Sequence, residues 1–289
     1  GPNTKPLREL VPYKVFMGKS VGDLFFTSLS ELESVIKNYE GQYISFHCED
    51  PEILEENKNE STHEAQRPPQ AEISAIDSAL KLIEKYDLQA KICHVSTKEG
   101  VEKIIAAKKQ GLKVTMEVTP SHLYFDEEII SANRKFFQEN PPIREKTNCT
   151  ALIGALKKGE IDYLATDHAA HTVEEKKKGI SGLPHLDTYG PFVTWLMAEH
   201  NFSPEEIARV CSENPGGFWG EFTGEKYGRI EEGFVGSLTV LDTARPLTVQ
   251  KEMLKTKCGW SPFEGVTFPG SVAMTIIKGQ VYKNNAKND

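Results

Sequence analysis

Lys91-Ile92-Cys93-His94-Val95 is a short apolar run that carries a histidine near its end, and the chain around it decides the fold. Val101 to Lys109 spaces its apolar residues as a helix does, and Lys113 to Val118 returns to a strand pattern. Two such strands pair in parallel when a helix carries the chain back across the sheet. The same unit recurs upstream. Lys14-Val15-Phe16-Met17 reads as a strand, Ser30 to Tyr39 as a helix with Leu32, Val35 and Ile36 on one face, and Tyr43-Ile44-Ser45-Phe46-His47 as the next strand. A charged loop runs from Glu49 to Arg67, and a helix from about Glu72 carries Ile76, Leu80, Leu82 and Ile83. Downstream, a helical stretch around Leu152 to Leu156 precedes a strand at Tyr163 to Thr166. Helices follow at Phe192 to His200 and from Ser203-Pro204-Glu205-Glu206, a strong start signal. About five strand–helix units predict an α/β fold with a parallel sheet.

The tail changes character. Gly236 to Asp242 and Met274 to Tyr282 read as short strands, so residues 1–231 form the main domain and 232–289 a small β-rich appendage. Hydrophobic residues at 38% and charged residues at 26% suit a folded core and argue against wholesale disorder. A net charge of -8 with no long basic run argues against a nucleic-acid partner. No apolar stretch approaches the ~20 residues of a membrane span, and no signal-peptide pattern opens the chain. The five cysteines are scattered, odd in number and free of any CxxC pair. That predicts reduced thiols in a cytoplasmic protein and excludes a zinc ribbon.

Polar residues sit where strands end. His47 closes Tyr43-Ile44-Ser45-Phe46, His94 follows Lys91-Ile92-Cys93, and Asp167 and His168 follow Tyr163-Leu164-Ala165-Thr166; Lys14 opens Val15-Phe16. In a parallel α/β barrel the C-terminal strand ends converge on one face, where chemistry is done. A lone strand-end histidine is more often satisfied or solvated than a ligand, and a lone lysine more often ion-paired. Two histidines and an aspartate at such ends shift the balance toward a shared metal. His63 and His200 read as solvated, and His122 as packed beneath the site.

A set of motifs occurs in order along almost the whole chain: Pro2-Asn3-Thr4-Lys5-Pro6, Lys14-Val15-Phe16-Met17-Gly18, His47-Cys48-Glu49-Asp50, Cys93-His94-Val95-Ser96, Glu117-Val118-Thr119-Pro120, Asn140-Pro141-Pro142-Ile143-Arg144, Asp167-His168-Ala169-Ala170-His171, Ser181-Gly182-Leu183-Pro184 and Ser261-Pro262-Phe263-Glu264-Gly265. Each is weak alone. Together they resemble the dihydroorotases of the amidohydrolase superfamily. The resemblance implies a (β/α)8 TIM-type barrel that reversibly hydrolyses dihydroorotate to N-carbamoyl-aspartate in de novo pyrimidine biosynthesis. It also implies that Lys14, carboxylated to N6-carboxylysine, bridges two zinc ions, with His47 and His94 as ligands of one. Asp167 would bind the other and act as the proton-transferring base and acid, while Asn3, Asn140 and His171 hold the substrate. A homodimer in the cytoplasm is the implied assembly.

The chain departs from that pattern at its start. Family members carry a first barrel strand ending in His-x-His, followed by an arginine, and no His-x-His occurs here. Two zinc ions per chain are expected if that element belongs to the molecule, and one or none without it. Two explanations compete: a longer molecule with segments outside these 289 residues, or a truncated homologue. A cut sheet edge and core favour the first, and intact mass decides between them. Two rival functions follow. One is a related cyclic amidohydrolase (hydantoinase, dihydropyrimidinase or allantoinase), against which Asn140 to Arg144 and His171 speak. The other is a non-catalytic scaffold for aspartate transcarbamoylase, which an absent His-x-His would suit.

Overall fold

Successive side chains of a strand point to opposite faces of its sheet, and here that alternation separates core from chemistry. In the computed structural model, which describes residues 1–7, 9–20 and 22–283, five strands pair in parallel in strictly sequential order. They are β1 (Tyr13–Phe16), β2 (Tyr43–His47), β3 (Gln89–Ile92), β4 (Val114–Val118) and β5 (Tyr163–Leu164). Val15, Ile44, Phe46, Ala90, Ile92, Val114, Met116 and Val118 share one face, and all are buried. The other face carries Lys14, Ser45, Lys91 and Thr115 side by side in register across four strands. Sequential order is that of a (β/α) barrel wall; a doubly wound sheet reverses its order at a switch point.

The connecting helices are α1 (Leu29–Ile36), α2 (Pro51–Asn57), α3 (His63–Gln66), α4 (Pro69–Lys85), α5 (Lys98–Lys109), α6 (Pro120–Tyr124) and α7 (Lys146–Lys157). Helix α4 begins at Pro69 and not near Glu72, because proline at the first helical position costs no hydrogen bond. Its Ala71, Ala75, Ile76, Ala79, Leu82 and Ile83 form the buried stripe, and each large aliphatic side chain contributes about 1.5–3 kcal/mol by burial. Thr97 caps α5 by accepting from the Gly100 N–H. At its other end Gly111, at φ +92, lets the chain turn out of the helix.

Contacts divide the chain into two compact units, Gly1–Ala165 with Lys176–Gly182, and Thr166–Glu175 with Leu183–Asp289. After β5 come α8 (Val173–Lys177), α9 (Tyr189–His200), α10 (Pro204–Ala208) and α11 (Asn214–Thr223). Ser203 and Glu206 form a reciprocal capping box at the start of α10. The tail forms β6 (Leu238–Asp242), β7 (Leu247–Thr248), β8 (Thr267–Phe268), β9 (Ser271–Ile277) and β10 (Gln280–Lys283). Strands β6, β9 and β10 make an antiparallel sheet in the order β10-β9-β6. The single strand expected over Met274 to Tyr282 is in fact a hairpin. Lys278 at φ 48 and Gly279 at φ 84 turn the chain in two residues. Phe192, Phe263 and Phe268, all fully buried, form the aromatic core of the second unit. Residues 284–289 of the expected appendage lie outside the described residues. Among the described residues no helix is long and apolar enough to cross a membrane, and all five cysteines are free.

Candidate metal centre

His47 is the last residue of β2, and Cys93 N–H extends the β2–β3 ladder by donating to Phe46 O at 2.9 Å. The next residue, His94, stands at φ 37. That left-handed backbone is rare outside glycine and costs of order 1–3 kcal/mol, and such strain gathers at functional sites. The turn aims the His94 ring back at β2. His47 Nδ1 and His94 Nε2 are 3.0 Å apart, and both side chains are buried. His47 Nε2 lies 2.7 Å from Glu49 Oε2, which assigns its proton to Nε2 and leaves the Nδ1 lone pair facing His94. Burial, then the neighbouring His47 and Lys14, holds His94 well below the usual histidine range, so its ring stays neutral. Burial works to raise the Glu49 carboxyl, but Arg67, His47 and Arg144 outweigh it and hold it at about 2.

Lys14 lies on the polar face of the sheet, and its Nζ is 3.0 Å from Cys93 Sγ. In the register, Ser45 and Lys91 continue its row. Lys91 Nζ pairs with Glu117 Oε2 at 2.6 Å. Burial works to lower the Lys91 amine, yet Glu117 and Cys93 hold it above the usual lysine range. The structure thus brings His47 and His94 together and sets Lys14 against Cys93, the residue before His94. Asn3 is exposed in the turn closed by Thr4 N–H to Gly1 O at 3.2 Å. Asn140 is half-buried, and its Nδ2 donates to Ser20 Oγ at 3.3 Å.

Asp167 and His171 belong to the second unit. Asp167, like His94, has a left-handed backbone, at φ 40. His168 Nδ1 accepts the N–H groups of His185 and Leu186, at 3.1 and 3.3 Å, which pins the loop. The His171 carbonyl accepts from Trp260 Nε1 at 2.7 Å, and its ring is half-buried with Nδ1 3.8 Å from Glu175 Oε2. The other histidines divide. His122 is buried as expected, with Nδ1 2.8 Å from Thr119 Oγ1 and Nε2 3.0 Å from Pro141 O. His63 and His200 are not simply solvated. His63 Nε2 is 2.9 Å from Glu139 O, and His200 meets the Trp195 ring edge-on at 4.4 Å.

Residues 27–282 match the model of the Amidohydrolase family. The chain belongs to that family. It is 34% identical over 275 residues to dihydroorotase from Thermococcus kodakarensis, which covers 93% of this chain and 61% of that protein. Dihydroorotase from Clostridium botulinum is 39% identical over 191 residues, 66% of this chain and 46% of that protein. Among solved structures, L-hydantoinase from Arthrobacter aurescens superposes with a TM-score of 0.83 at 27% identity, over 93% of this chain and 63% of that one. Dihydropyrimidinase from Brevibacillus agri superposes at 0.84 with 23% identity, over 95% and 64%. These superpositions identify the five-stranded sheet as barrel wall. The chain spans about three-fifths of the length of the Thermococcus and Pyrococcus dihydroorotases that it matches.

Whether this amidohydrolase chain offers metal donors can be tested on its own side chains. Two nitrogens bound to one zinc at ~2.0–2.1 Å each must lie within about 4.2 Å of each other. The 3.0 Å between His47 and His94 meets that condition. Glu49 supplies the carboxylate that commonly orients a ligating histidine from behind. Among the described residues no group of three or more His, Cys, Asp or Glu side chains is arranged to hold an ion. A third donor therefore has to come from elsewhere, and Lys14 can offer oxygen only as a carbamate. Glu49, Arg67 and Arg144 were missed as site residues in the sequence. Glu49 was legible, because residues two apart at a strand end share a face. Arg67 lies in a charged loop without any pattern to mark it.

Proposed function

We propose that the chain carries a metal-dependent cyclic amidohydrolase site acting on dihydroorotate, with Lys14 as N6-carboxylysine, His47, His94 and Asp167 as zinc ligands. The observation that carries this reading is the buried His47–His94 pair with Glu49 behind it. The ordered motifs and the dihydroorotase relatives support the substrate. When bound, zinc polarises an amide carbonyl and makes water nucleophilic near neutral pH. His94, held neutral by burial, can offer a nitrogen lone pair, and Glu49 holds a His47 proton on Nε2, away from the Nδ1 that faces His94. Asp167 takes a proton from the attacking water and returns it to the ring nitrogen as the C–O bond forms and the C–N bond breaks. His171 pairs the substrate's carboxylate, and Asn3 and Asn140 hold the ring.

A second reading rests on the superposition with L-hydantoinase. Parallel assays on dihydroorotate, hydantoin and allantoin with the zinc-loaded protein separate the two. Turnover of dihydroorotate alone supports the first; turnover of hydantoin or allantoin without dihydroorotate overturns it.

A further inference from the structure

We propose that Arg144, the last residue of Asn140-Pro141-Pro142-Ile143-Arg144, is a positioning residue that locks the loop behind His47 to the loop behind His94. The part concerning metal rests on the zinc-site reading above. Arg144 is buried at 3% exposure. Its Nη1 donates to Arg67 O at 2.7 Å, and its Nε donates to Ser96 Oγ at 3.1 Å. One arm therefore reaches Arg67, whose guanidinium donates to Glu49 and, at 2.6 Å, to Lys19 O. Glu49 in turn fixes His47. The other arm reaches Ser96, two residues beyond His94. There the buried Glu72 carboxylate accepts the N–H and hydroxyl groups of both Ser96 and Thr97.

A chain relaxes out of an unfavourable φ unless its neighbours are held, and His94 at φ 37 has Ser96 and Thr97 clamped next to it. One guanidinium couples both clamps because its donors diverge in a fixed fork, which a lysine cannot reproduce. Its remaining nitrogen, Nη2, is buried and makes no hydrogen bond among the described residues. Such an orphan donor costs ~1–3 kcal/mol, so stability alone does not explain an arginine here. Substrate binding does not explain it either, since two of its donors are occupied within the protein and the side chain is sealed from solvent.

The test is long-range ¹H–¹⁵N NMR on histidine-labelled, metal-stripped protein, together with Co²⁺ titration followed by the visible spectrum. The wild-type chain is expected to show His47 as a single Nε2–H tautomer. Arg144→Gln is expected to give a tautomer mixture and a 10–100-fold loss of Co²⁺ affinity, with Arg144→Lys failing to restore either. If Arg144→Gln does not fold, Arg67→Gln, which removes the adjoining link, is read the same way. A single retained tautomer with Co²⁺ affinity within about twofold of wild type would overturn the proposal. A tautomer change in a protein that binds no Co²⁺ even as wild type would uphold the positioning role and overturn the zinc reading.

Discussion

His47 Nδ1 lies 3.0 Å from His94 Nε2, although 47 residues separate them in the chain. Parallel pairing of β2 with β3 brings their ends together, and the reversed backbone at His94 closes the remaining gap. Two protonated imidazoles could not share this buried space. Burial keeps His94 neutral, the form in which histidine donates to a metal.

That neutrality has a consequence in acid. Burial pushes His122 down to about 4, and His94 lies well below its ordinary range. An unfolded chain binds these protons near pH 6.5, so the stability from keeping them neutral is full above that pH. For His122 it is lost as pH falls from 6.5 through 4. Each such group contributes a slope of about 1.4 kcal/mol per pH unit. Urea unfolding of metal-stripped protein at pH 7, 6 and 5 is expected to show stability falling by about 3 kcal/mol per unit near pH 5. His122→Gln is expected to remove about half of that slope, and an equally steep slope in the variant would contradict the assignment.

Lys14 becomes a useful metal donor only by losing its positive charge, and carboxylation replaces the ammonium with an anionic carbamate. Lys14→Ala is expected to lose most zinc and activity, with partial rescue by short carboxylic acids. A carbamate signal in ¹³C NMR after incubation with labelled bicarbonate is expected in wild type and absent from Lys14→Ala. Unchanged zinc content in the variant would remove Lys14 from the site.

Asp167→Asn keeps an oxygen that can face a metal but removes the proton acceptor. Turnover is expected to fall by at least ~10²-fold, the lower end of general acid–base contributions, while most zinc remains bound. His171→Ala is expected to act mainly on kcat/KM. Zinc loss in Asp167→Asn as complete as in a histidine variant would recast this aspartate as chiefly a ligand.

Gly100 tests the clamp behind His94 by sterics alone. A Cβ there would stand 2.7 Å from both Ile76 Cδ1 and Thr97 Oγ1, and 3.2 Å from Glu72 Oε1. Alanine gains up to ~1 kcal/mol in helix propensity, whereas overpacking costs about 1–3 kcal/mol. The second effect wins, so Gly100→Ala is expected to lower Tm by a few degrees. A raised Tm would show that the clamp yields.

The strand–helix alternation was legible because apolar runs such as Tyr43 to Phe46 cannot be anything but buried, and His47 and His94 stood out by ending such runs. The helix start at Pro69 and the hairpin at Lys278-Gly279 were less visible, since proline and a two-residue turn interrupt the apolar pattern that marks elements. The sequence places Arg144 at the end of the Asn140 to Arg144 motif but does not show what its side chain meets. Its partners, the Arg67 carbonyl and the Ser96 hydroxyl, come from loops whose meeting depends on the finished fold. Nor does any periodicity betray the left-handed backbone at His94 and Asp167.

Equilibrium dialysis against buffered zinc bears most directly on whether these strand ends form a metal centre, with the wild-type chain compared against the double variant His47→Ala/His94→Ala. Stoichiometric zinc on wild type and loss of that binding from the folded double variant is the expected result. Equal zinc on both proteins, or none on either, would contradict a metal centre at His47 and His94.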